Sequence, residues 1–450
     1  MKRILIKNGL VMNRQFDTEQ KDILIEGKTI RDIRADLHAD GAEVIDAAGK
    51  IVMPGLVDTH RHVWESILRH IGTDWSLPQY LENIYYGNLG SQLSTEDMYI
   101  ANLWGALEAL DAGVTTLFDY SMLETPEHAD AAIKGLEDAG IRAVFAHGVS
   151  GRGEYWDRES EKRHPAEDAR RVKKEYFQSE DQLLTMALGV RGPEFSAWET
   201  AVDDIKLAAE LDAIASMHIG FGAWGPHDRS ITRLNEAGLL TDRLNLVHVN
   251  RIQLEEYRLI AESGASLSVT PEVEMMMGHG YPATGQLHRH KGLVTLGVDV
   301  VVSTAGDLFT QMKFALQAER ARQNEQILDR GEMPEQLGLT VKDVLAFATR
   351  DGAKALGLGH KTGTLEPGME ADITIIDPSS FNLHPLNQSP AGAVVQSARP
   401  ENVDTVLTAG RIVKQNGRLV KDVSRLREQV AQASENVFLR QHKNREVNAD

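Results

Sequence analysis

Residues Met53–His62 read MPGLVDTHRH, an apolar run that closes on two histidines separated by one residue. Side chains alternate along a β-strand, so residues two apart point to the same face. On a strand, His60 and His62 would therefore share one face, while Arg61 points away. This stretch predicts a buried strand that presents two imidazoles side by side at its carboxyl end.

Seven further apolar runs follow, separated by segments with helical periodicity such as Glu96–Ala112, Pro126–Ala139, Ala201–Leu211 and Gln253–Ser263. Short buried strands that alternate with helices are typical of βα units and a parallel sheet. The eight strand candidates are Ile51–Thr59, Thr115–Tyr120, Arg142–His147, Leu184–Val190, Ala213–Ile219, Leu244–Asn250, Ser266–Thr270 and Leu293–Val300. Residues 55–359 are therefore predicted to form an α/β fold, a (β/α)8 TIM-type barrel, with functional groups at the carboxyl ends of its strands.

Both ends of the chain differ from this middle part. The first fifty residues and the segment from residue 371 to residue 413 are β-rich runs punctuated by turn residues such as Asn8-Gly9. Two β-rich ends around a different middle predict one small β-sandwich domain built from both termini, residues 1–54 plus 360–425. The charged segment 426–450 is predicted to be a C-terminal helical tail.

The segment Arg152–Lys174, between the third and fourth strand candidates, is highly charged. Two interpretations fit it about equally well. It is either a solvated lid over one end of the barrel or a helix on the surface.

Composition narrows the chemistry and the partners. The chain has no cysteine, so disulfides, thiolate metal sites and cysteine nucleophiles are excluded. A formal net charge of -18 argues against nucleic acid and anionic membrane surfaces as partners. The N-terminus reads as a strand and turn and not as a signal peptide. We therefore expect a cytoplasmic protein, assembled as a homo-oligomer, that acts on a small molecule.

Three more polar groups fall at the ends of strand candidates: His218, His248 and Asp299. The ends of parallel strands meet at one mouth of a barrel, so these groups are expected to join His60 and His62. A nitrogen-rich pocket of this kind suits Zn²⁺ or Fe²⁺. A lone buried histidine is usually structural, and His248 could contact substrate and not metal, but five such groups at strand ends favour a metal site.

The same segments resemble a known family. Met53–His62 resembles the first-strand signature of the amidohydrolase superfamily, Leu244–His248 its sixth strand and Leu296–Asp299 its eighth. Thr362–Asp372 is similar to the return into that superfamily's β-sandwich domain. The nearest branch contains the cytosine deaminase, guanine deaminase and triazine hydrolase-like enzymes.

The resemblance implies a role for each residue. His60, His62 and His218 would bind the metal, Asp299 would complete the site, and His248 would contact the attacking water or a substrate carbonyl. Glu65 lies where this branch often has a glutamine that reads the substrate, although it could equally cap a helix.

Two departures from the superfamily pattern bear on the chemistry. Binuclear members carry a lysine at the end of the fourth strand, whereas residues 188–193 here read LGVRGP. One divalent metal ion is therefore expected, with Zn²⁺ favoured and Fe²⁺, Mn²⁺ or Co²⁺ as alternatives. Many deaminases also carry a glutamate three residues after the fifth-strand histidine, where this chain has Phe221.

These residues predict a metal-dependent amidohydrolase in which Asp299 moves a proton and His248 stabilises an oxyanion. Without that glutamate, an amide, urea or carbamate is the favoured C–N substrate. The alternatives are deamination of a nucleobase-like or other heterocyclic amine, with Glu65, Glu194 or Glu272 replacing the missing acid, and a non-catalytic metal-binding barrel.

The remaining candidates are predicted substrate contacts. His279 lies between two glycines after the seventh strand, next to three consecutive methionines at 275–277 that would either line the pocket or fill the core. Trp64 is expected at the barrel mouth, although aromatic residues are more often simple packing.

Overall fold

Five strands form the start of the chain in the computed structural model, which describes residues 2–447 and their side chains up to residue 444. They are β1 Arg3–Met12, β2 Thr18–Glu26, β3 Thr29–Arg34, β4 Glu43–Asp46 and β5 Ile51–Pro54. The pair Asn8-Gly9 lies within β1, where the register against β2 shifts between Ile6 and Gly9. The predicted turn there is thus a β-bulge, which accommodates the positive φ of Asn8 inside a strand.

Eight parallel strands form the central barrel, each paired with its neighbour in chain order. They are β6 Leu56–Arg61, β7 Val114–Tyr120, β8 Arg142–His147, β9 Leu184–Gly189, β10 Ile214–Ile219, β11 Leu244–His248, β12 Ser266–Val269 and β13 Leu293–Leu296. This confirms the predicted barrel. The candidate Ile51–Thr59 is divided between β5 and β6 at Gly55, where a Cβ atom would lie 2.1 Å from Thr115 Oγ1.

The barrel closes just beyond the ends of its first and last strands. The backbone N–H of Asp299 donates to the carbonyl of His60 at 2.9 Å, and that of His62 donates to the carbonyl of Asp299 at 3.0 Å. Arg61 and Asp299 form an isolated parallel bridge. The seam of the barrel therefore runs through three of the predicted site residues.

Helices surround the barrel and close the chain. The α-helices are α1 Leu77–Ile84, α2 Thr95–Asp111, α3 Pro126–Ala139, α4 Ala166–Tyr176, α5 Trp198–Glu210, α6 Trp224–Asp228, α7 Ser230–Glu236, α8 Leu254–Ser263, α9 Pro271–Met277, α10 Thr284–Arg289, α11 Leu308–Leu328, α12 Val341–Phe347, α13 Arg350–Ala355, α14 Pro390–Ser397 and α15 Ser424–Val447. Short 3-10 helices span Val63–Leu68, Leu89–Gln92 and Pro400–Asn402. None of the helices in the described part of the chain combines the length and apolar character needed to cross a bilayer.

Local sequence explains where helix α2 begins. Ser94 Oγ accepts from the backbone N–H of Asp97 at 3.2 Å, and the Asp97 carboxylate accepts from the N–H of Ser94 at 2.8 Å. Such a reciprocal capping box satisfies donors that the first turn leaves free.

The Arg440 side chain of helix α15 also donates to Asp97 and, at 2.7 Å, to the carbonyl of Gln92. The predicted helical tail is thereby attached to the barrel, although residues 448–450 lie outside the described part.

The last strands return to the first ones. They are β14 Ile373–Ile376, β15 Val403–Thr408, β16 Arg411–Gln415 and β17 Arg418–Leu419. Strand β14 pairs antiparallel with β5, which joins the two chain ends into one mixed sheet of nine strands. The predicted small domain built from both termini is confirmed.

A buried ion pair joins this sheet domain to the barrel. Arg142, 1% exposed at the start of β8, donates to Asp372 at 2.7 Å and to Glu370 at 2.5 Å. Removing one member of a buried pair leaves the partner charge without compensation.

We expect Arg142→Ala to lower the free energy of unfolding by about 3–5 kcal/mol, because Asp372 would stay buried and unpaired. The urea unfolding midpoint, followed by circular dichroism, measures the change. Arg170→Ala serves as control, since Arg170 and Glu210 form an exposed pair on the surface, and it should leave the midpoint where it was. An Arg142→Ala midpoint equal to that of the control would show that the pair does not hold the domains together.

Candidate metal centre

Four side chains from three parts of the barrel point at one spot. His60 and His62 come from the end of β6, His218 from β10, and Asp299 from the segment after β13. One ligand atom from each lies within 4.8 Å of all the others. His60 Nε2 is 3.1 Å from His218 Nε2 and 3.2 Å from Asp299 Oδ1, and His62 Nε2 is 3.3 Å from His218 Nε2. The structure therefore brings together the four residues predicted to bind metal.

These separations allow one cation to reach all four side chains. Four of the distances between ligand atoms are 3.1–3.4 Å, and no two of the ligand atoms lie more than 4.8 Å apart, so a point between them lies at bonding distance from each. Three imidazole nitrogens facing one carboxylate cannot all be satisfied by each other, whereas a divalent cation would satisfy every one of them. The donor set of nitrogen and oxygen atoms suits a divalent metal ion.

The electrostatics of the cluster also suit a cation. Burial, together with repulsion from His60 and His62, holds the pKa of His218 well below its usual value. Burial alone would raise the pKa of Asp299, but its hydrogen bonds to His60 and His62 outweigh that effect and hold this pKa well below the usual range. Neutral imidazoles and an ionised carboxylate are the protonation states that metal binding requires.

Backbone strain accompanies the site. His248, Val249 and Asp299 have positive φ values of 73°, 45° and 69°. Such conformations cost non-glycine residues about 1–3 kcal/mol each and persist where the surroundings enforce them. They turn the chain at the ends of β11 and β13, so that His248 and Asp299 face the barrel mouth.

His248 lies beside the four-residue cluster and outside it. Its Nε2 is 3.8 Å from Asp299 Oδ2, too far for a direct hydrogen bond. Its ring packs against His279, with centroids 4.6 Å apart, and against Phe221 at 4.8 Å. This position suits a contact with substrate better than a bond to the metal. A contact with substrate was one of the two roles predicted for His248, the other being a contact with the attacking water.

A cavity of about 440 Å³, including its open mouth, lies over the cluster. Helix α1 and the residue after it contribute Tyr80 and Tyr85 to its wall, and Trp156 packs against Tyr85 with ring centroids 4.8 Å apart. The residues lining it are His62, Leu77, Tyr80, Leu81, Tyr85, Trp156, Phe195, His218, Phe221, His248, Val273, Met277, His279, Asp299 and Val300. Five of them are aromatic carbocycles or indoles, and Asp299 is the one carboxylate among the described residues of this lining.

The charged segment Arg152–Lys174 was predicted to be either a lid or a surface helix, and each interpretation fits a different part of it. Its first part carries Trp156 into the cavity wall, and the Trp156 indole N–H donates to the carbonyl of Ser150 at 2.8 Å. Its second part contains most of helix α4. The segment is therefore both a cover for the cavity and a surface helix.

Two predicted substrate contacts lie away from the cavity lining. The 3-10 helix Val63–Leu68 turns Trp64 into the core, where it packs against Tyr85. The same helix buries Glu65 completely, and its Oε1 accepts from the Tyr80 hydroxyl at 2.6 Å. Burial raises the pKa of Glu65 well above its usual value. Of the other predicted contacts, His279 lines the cavity.

The candidate replacements for the missing acid are also engaged elsewhere. Glu194 accepts from the backbone N–H of Gly220 at 2.9 Å, and burial raises its pKa to about 7. Glu272 accepts from the side chain of Gln311 at 2.8 Å. Neither belongs to the cavity lining. The three consecutive methionines were predicted either to line the pocket or to fill the core. Met277 lines the cavity, while Met275 and Met276 are exposed.

Sequence reasoning missed one residue next to the centre. Glu274, fully buried on helix α9, lies 3.2 Å from His248 Nδ1 through its Oε1. The sequence did contain a clue to this position. Glu274 lies four residues after Thr270, which follows the seventh strand, and one helical turn brings a side chain back toward the end of the strand.

Comparison with known proteins gives a consistent result. The model of the amidohydrolase family matches residues 51–413. The 5'-deoxyadenosine deaminase of Methanothermobacter thermautotrophicus is 29% identical over 404 residues, covering 88% of this chain and 89% of that one. The 5-methylthioadenosine/S-adenosylhomocysteine deaminase of Pyrococcus abyssi is 26% identical over 91% of this chain and 93% of its own.

Solved structures show the same fold. An adenosine deaminase from Xanthomonas campestris with bound zinc superposes with a TM-score of 0.84 at 22% identity, covering 97% of this chain and 98% of its own. The atrazine chlorohydrolase of Arthrobacter aurescens in complex with zinc gives a TM-score of 0.82 at 23% identity, covering 96% and 100%.

Proposed function

The chain belongs to the amidohydrolase family and is a metal-dependent hydrolase of C–N bonds, and from this premise we propose that it deaminates a flat, weakly polar heteroaromatic amine with one divalent ion, preferably Zn²⁺. The observation that carries the proposal is the cavity wall. Tyr80, Tyr85, Trp156, Phe195 and Phe221 surround the space over the metal cluster. Aromatic walls favour a planar ring, which can make stacked or edge contacts with them.

The relatives support this choice over a linear amide, urea or carbamate, which the sequence alone favoured. The curated relatives named above are deaminases of adenosine derivatives. Phe221 stands where many deaminases have a glutamate, and it forms part of the aromatic wall. The proton for the substrate ring must then come from another group near the cavity.

The same wall argues for a substrate without a sugar. Ribose hydroxyls need polar partners when they are buried. In the described lining, the polar side chains are histidines, two tyrosines and Asp299, and the Tyr80 hydroxyl already donates to Glu65. A heterocycle with small apolar substituents therefore fits this cavity better than a nucleoside does.

The residues present account for activation of the water and departure of the amine, whereas the proton for the substrate ring comes from a group outside this set. A divalent ion held by His60, His62, His218 and Asp299 would make water acidic enough to attack the substrate carbon at neutral pH. Asp299 accepts the proton of the attacking water and passes it to the leaving amine. His248 donates a hydrogen bond to the substrate atom on which negative charge develops. The aromatic wall orients the ring and excludes bulk water.

We expect the zinc-loaded protein to release ammonia from amino-heterocycles with a kcat/KM at least about 100-fold above that for linear amides and ureas. The test is an ammonia-release screen over aminotriazines, aminopurines, 5'-deoxyadenosine, simple amides, ureas and carbamates. Aminotriazines or free aminopurines should exceed 5'-deoxyadenosine, because the cavity offers few partners for a sugar.

The protein treated with chelator and dialysed is the control, and it should release no ammonia from any compound. Turnover confined to the amides, ureas or carbamates would restore the preference drawn from the sequence. A small-molecule substrate agrees with the relatives, whereas assembly as a homo-oligomer stays a prediction.

A further inference from the structure

Glu124 joins three loops at the mouth of the barrel. It lies four residues after strand β7, its side chain is 7% exposed, and each of its two oxygens accepts two hydrogen bonds. The donors are the Ser91 hydroxyl at 2.8 Å and the Gly151 N–H at 2.8 Å on Oε1, and the Ser150 hydroxyl at 2.9 Å and Arg152 Nε at 3.1 Å on Oε2. The structure assigns to Glu124 the role of a positioning residue that fixes Tyr85 and Trp156 as one wall of the cavity. Its effect on turnover rests on the proposed function, whereas its effect on the loops does not.

One of these donors, Ser150, also holds Trp156. The Trp156 indole N–H donates to the Ser150 carbonyl at 2.8 Å, and the Ser150 hydroxyl donates to Glu124. Two hydrogen bonds through a single residue therefore link the carboxylate to the indole ring. Trp156 is 8% exposed and lines the cavity, so a shift of Ser150 is passed directly to the cavity wall.

The opposite half of the wall is tied to the same carboxylate. Tyr85 and Ser91 lie in one segment between helices α1 and α2. The Ser91 hydroxyl donates to Glu124 Oε1, and this oxygen also accepts from the Gly151 N–H. The Tyr85 and Trp156 rings meet in a T-shaped contact with centroids 4.8 Å apart. Glu124 therefore binds both of the chain segments whose aromatic rings form this contact.

Two glycines allow the segments to approach the carboxylate this closely. Met122, two residues before Glu124, packs against Gly90 of the first segment and against Gly151 of the other. A Cβ atom at Gly90 would lie 2.5 Å from Met122 Cε, and one at Gly151 would lie 2.3 Å from Met122 Sδ. Since glycine has no Cβ, the backbone comes near enough for the Gly151 N–H to reach Glu124.

Loss of the carboxylate would open the wall locally. The Gly151 N–H and the two serine hydroxyls would be left without their acceptor, which is costly for buried donors. Water can satisfy these donors only if the two segments move apart, and that movement separates Tyr85 from Trp156. The chain next to Trp156 stays attached, because the buried Arg191 side chain donates to the Tyr155 carbonyl at 2.7 Å. The expected change is therefore a wider cavity in a barrel that stays folded.

The first test is hydrogen–deuterium exchange of the zinc-loaded protein, which needs no substrate. In Glu124→Ala we expect peptides covering residues 85–92 and 150–157 to exchange at least about 10-fold faster than in the natural sequence, because local opening exposes their N–H groups. Peptides from the barrel strands should exchange as before. Glu127→Ala removes an exposed glutamate at the start of helix α3 and is the matched control, which should change neither segment. Unchanged exchange of residues 150–157 in Glu124→Ala would overturn the inference.

The second test is kinetic and uses the substrate found in the ammonia-release screen. Glu124→Ala should raise KM by about 10-fold or more and keep kcat within about threefold, because the wall binds the ring equally before and during the reaction. Glu124→Gln should keep KM within about threefold of the natural sequence. Its amide oxygen still accepts from the Gly151 N–H, and the Ser150 hydroxyl can turn to accept from the amide nitrogen. A loss confined to kcat, or a Glu124→Gln KM as high as that of Glu124→Ala, would refute the assignment.

Double variants separate action through the wall from a general loss of structure. In a Trp156→Ala background, Glu124→Ala should raise KM by less than about twofold further, because the wall that it positions is already gone. A further rise as large as in the natural sequence would refute the assignment.

A second route reaches the same contacts if Glu124→Ala does not fold. Ser91→Ala combined with Ser150→Ala removes two of the four donors and should produce the faster exchange and the higher KM, whereas exchange at the natural rate would overturn the inference. If no compound in the screen is turned over, the proposed function fails, and the exchange measurement still decides whether Glu124 holds the loops.

Discussion

The protein with His218→Ala is expected to lose its metal ion and, with it, at least about 10³-fold in kcat/KM, because the metal supplies several kcal/mol of transition-state stabilisation. His218 Nε2 lies within 3.3 Å of both His60 Nε2 and His62 Nε2. Removing it takes away one corner of a site with four donors. His60→Ala should act in the same way, because His60 Nε2 contacts both His218 and Asp299.

Metal content per chain, measured by plasma mass spectrometry after dialysis, and kcat/KM on the same sample test this expectation. His147→Ala is the matched control, because His147 is also a buried histidine at a strand end but binds His164 and Asp168. That control should retain its metal. A His218→Ala protein that keeps both metal and turnover would show that the cluster is not the metal site.

The second large effect is expected for Asp299→Asn, which should lower kcat by about 10³–10⁴-fold while the protein stays folded. The amide keeps the shape of the side chain and one oxygen, but it cannot accept the proton of the attacking water. Its N–H groups would also face His60 and His62, which now lie 3.2 Å and 3.4 Å from Asp299 Oδ1. A reduced metal affinity should accompany the loss of kcat.

Activity is therefore compared at saturating Zn²⁺, with metal content determined in parallel, so that the proton-transfer defect is separated from incomplete loading. Asp168→Asn is the control, since Asp168 also accepts from a buried histidine, at 2.9 Å from His147 Nε2, but lies away from the cavity. If fully metallated Asp299→Asn turned over within a few-fold of the natural sequence, another group would have to carry the proton.

The positions of polar residues at strand ends predicted which side chains meet at the barrel mouth. Parallel strands end at one face, so a histidine or aspartate there can reach the mouth, and this led to His60, His62, His218, His248 and Asp299. Position alone did not decide the outcome, because His147 also ends a strand but binds His164 and Asp168. The convergence of the five predicted residues in the structure is geometric, and their individual roles stay predictions until the variants are measured.

The cavity wall could not be predicted in the same way. Tyr85 and Trp156 come from irregular segments, in which no sequence period fixes where a side chain points. Glu65 shows the limit of spacing arguments, because the chain enters a 3-10 helix directly after His62 and turns this carboxylate to Tyr80. Glu274 was missed for a related reason, since its contact with His248 joins residues that lie 26 positions apart in the chain.

The closure of the barrel makes the positions of the ligand residues depend on the register of every strand. The two backbone hydrogen bonds that link His60, His62 and Asp299 form where the first strand meets the last. A slip of one residue at any of the seven earlier pairings would be carried around the ring and would misplace Asp299 relative to both histidines. A complete set of four ligands would therefore form only in a barrel whose strands are all paired in the correct register.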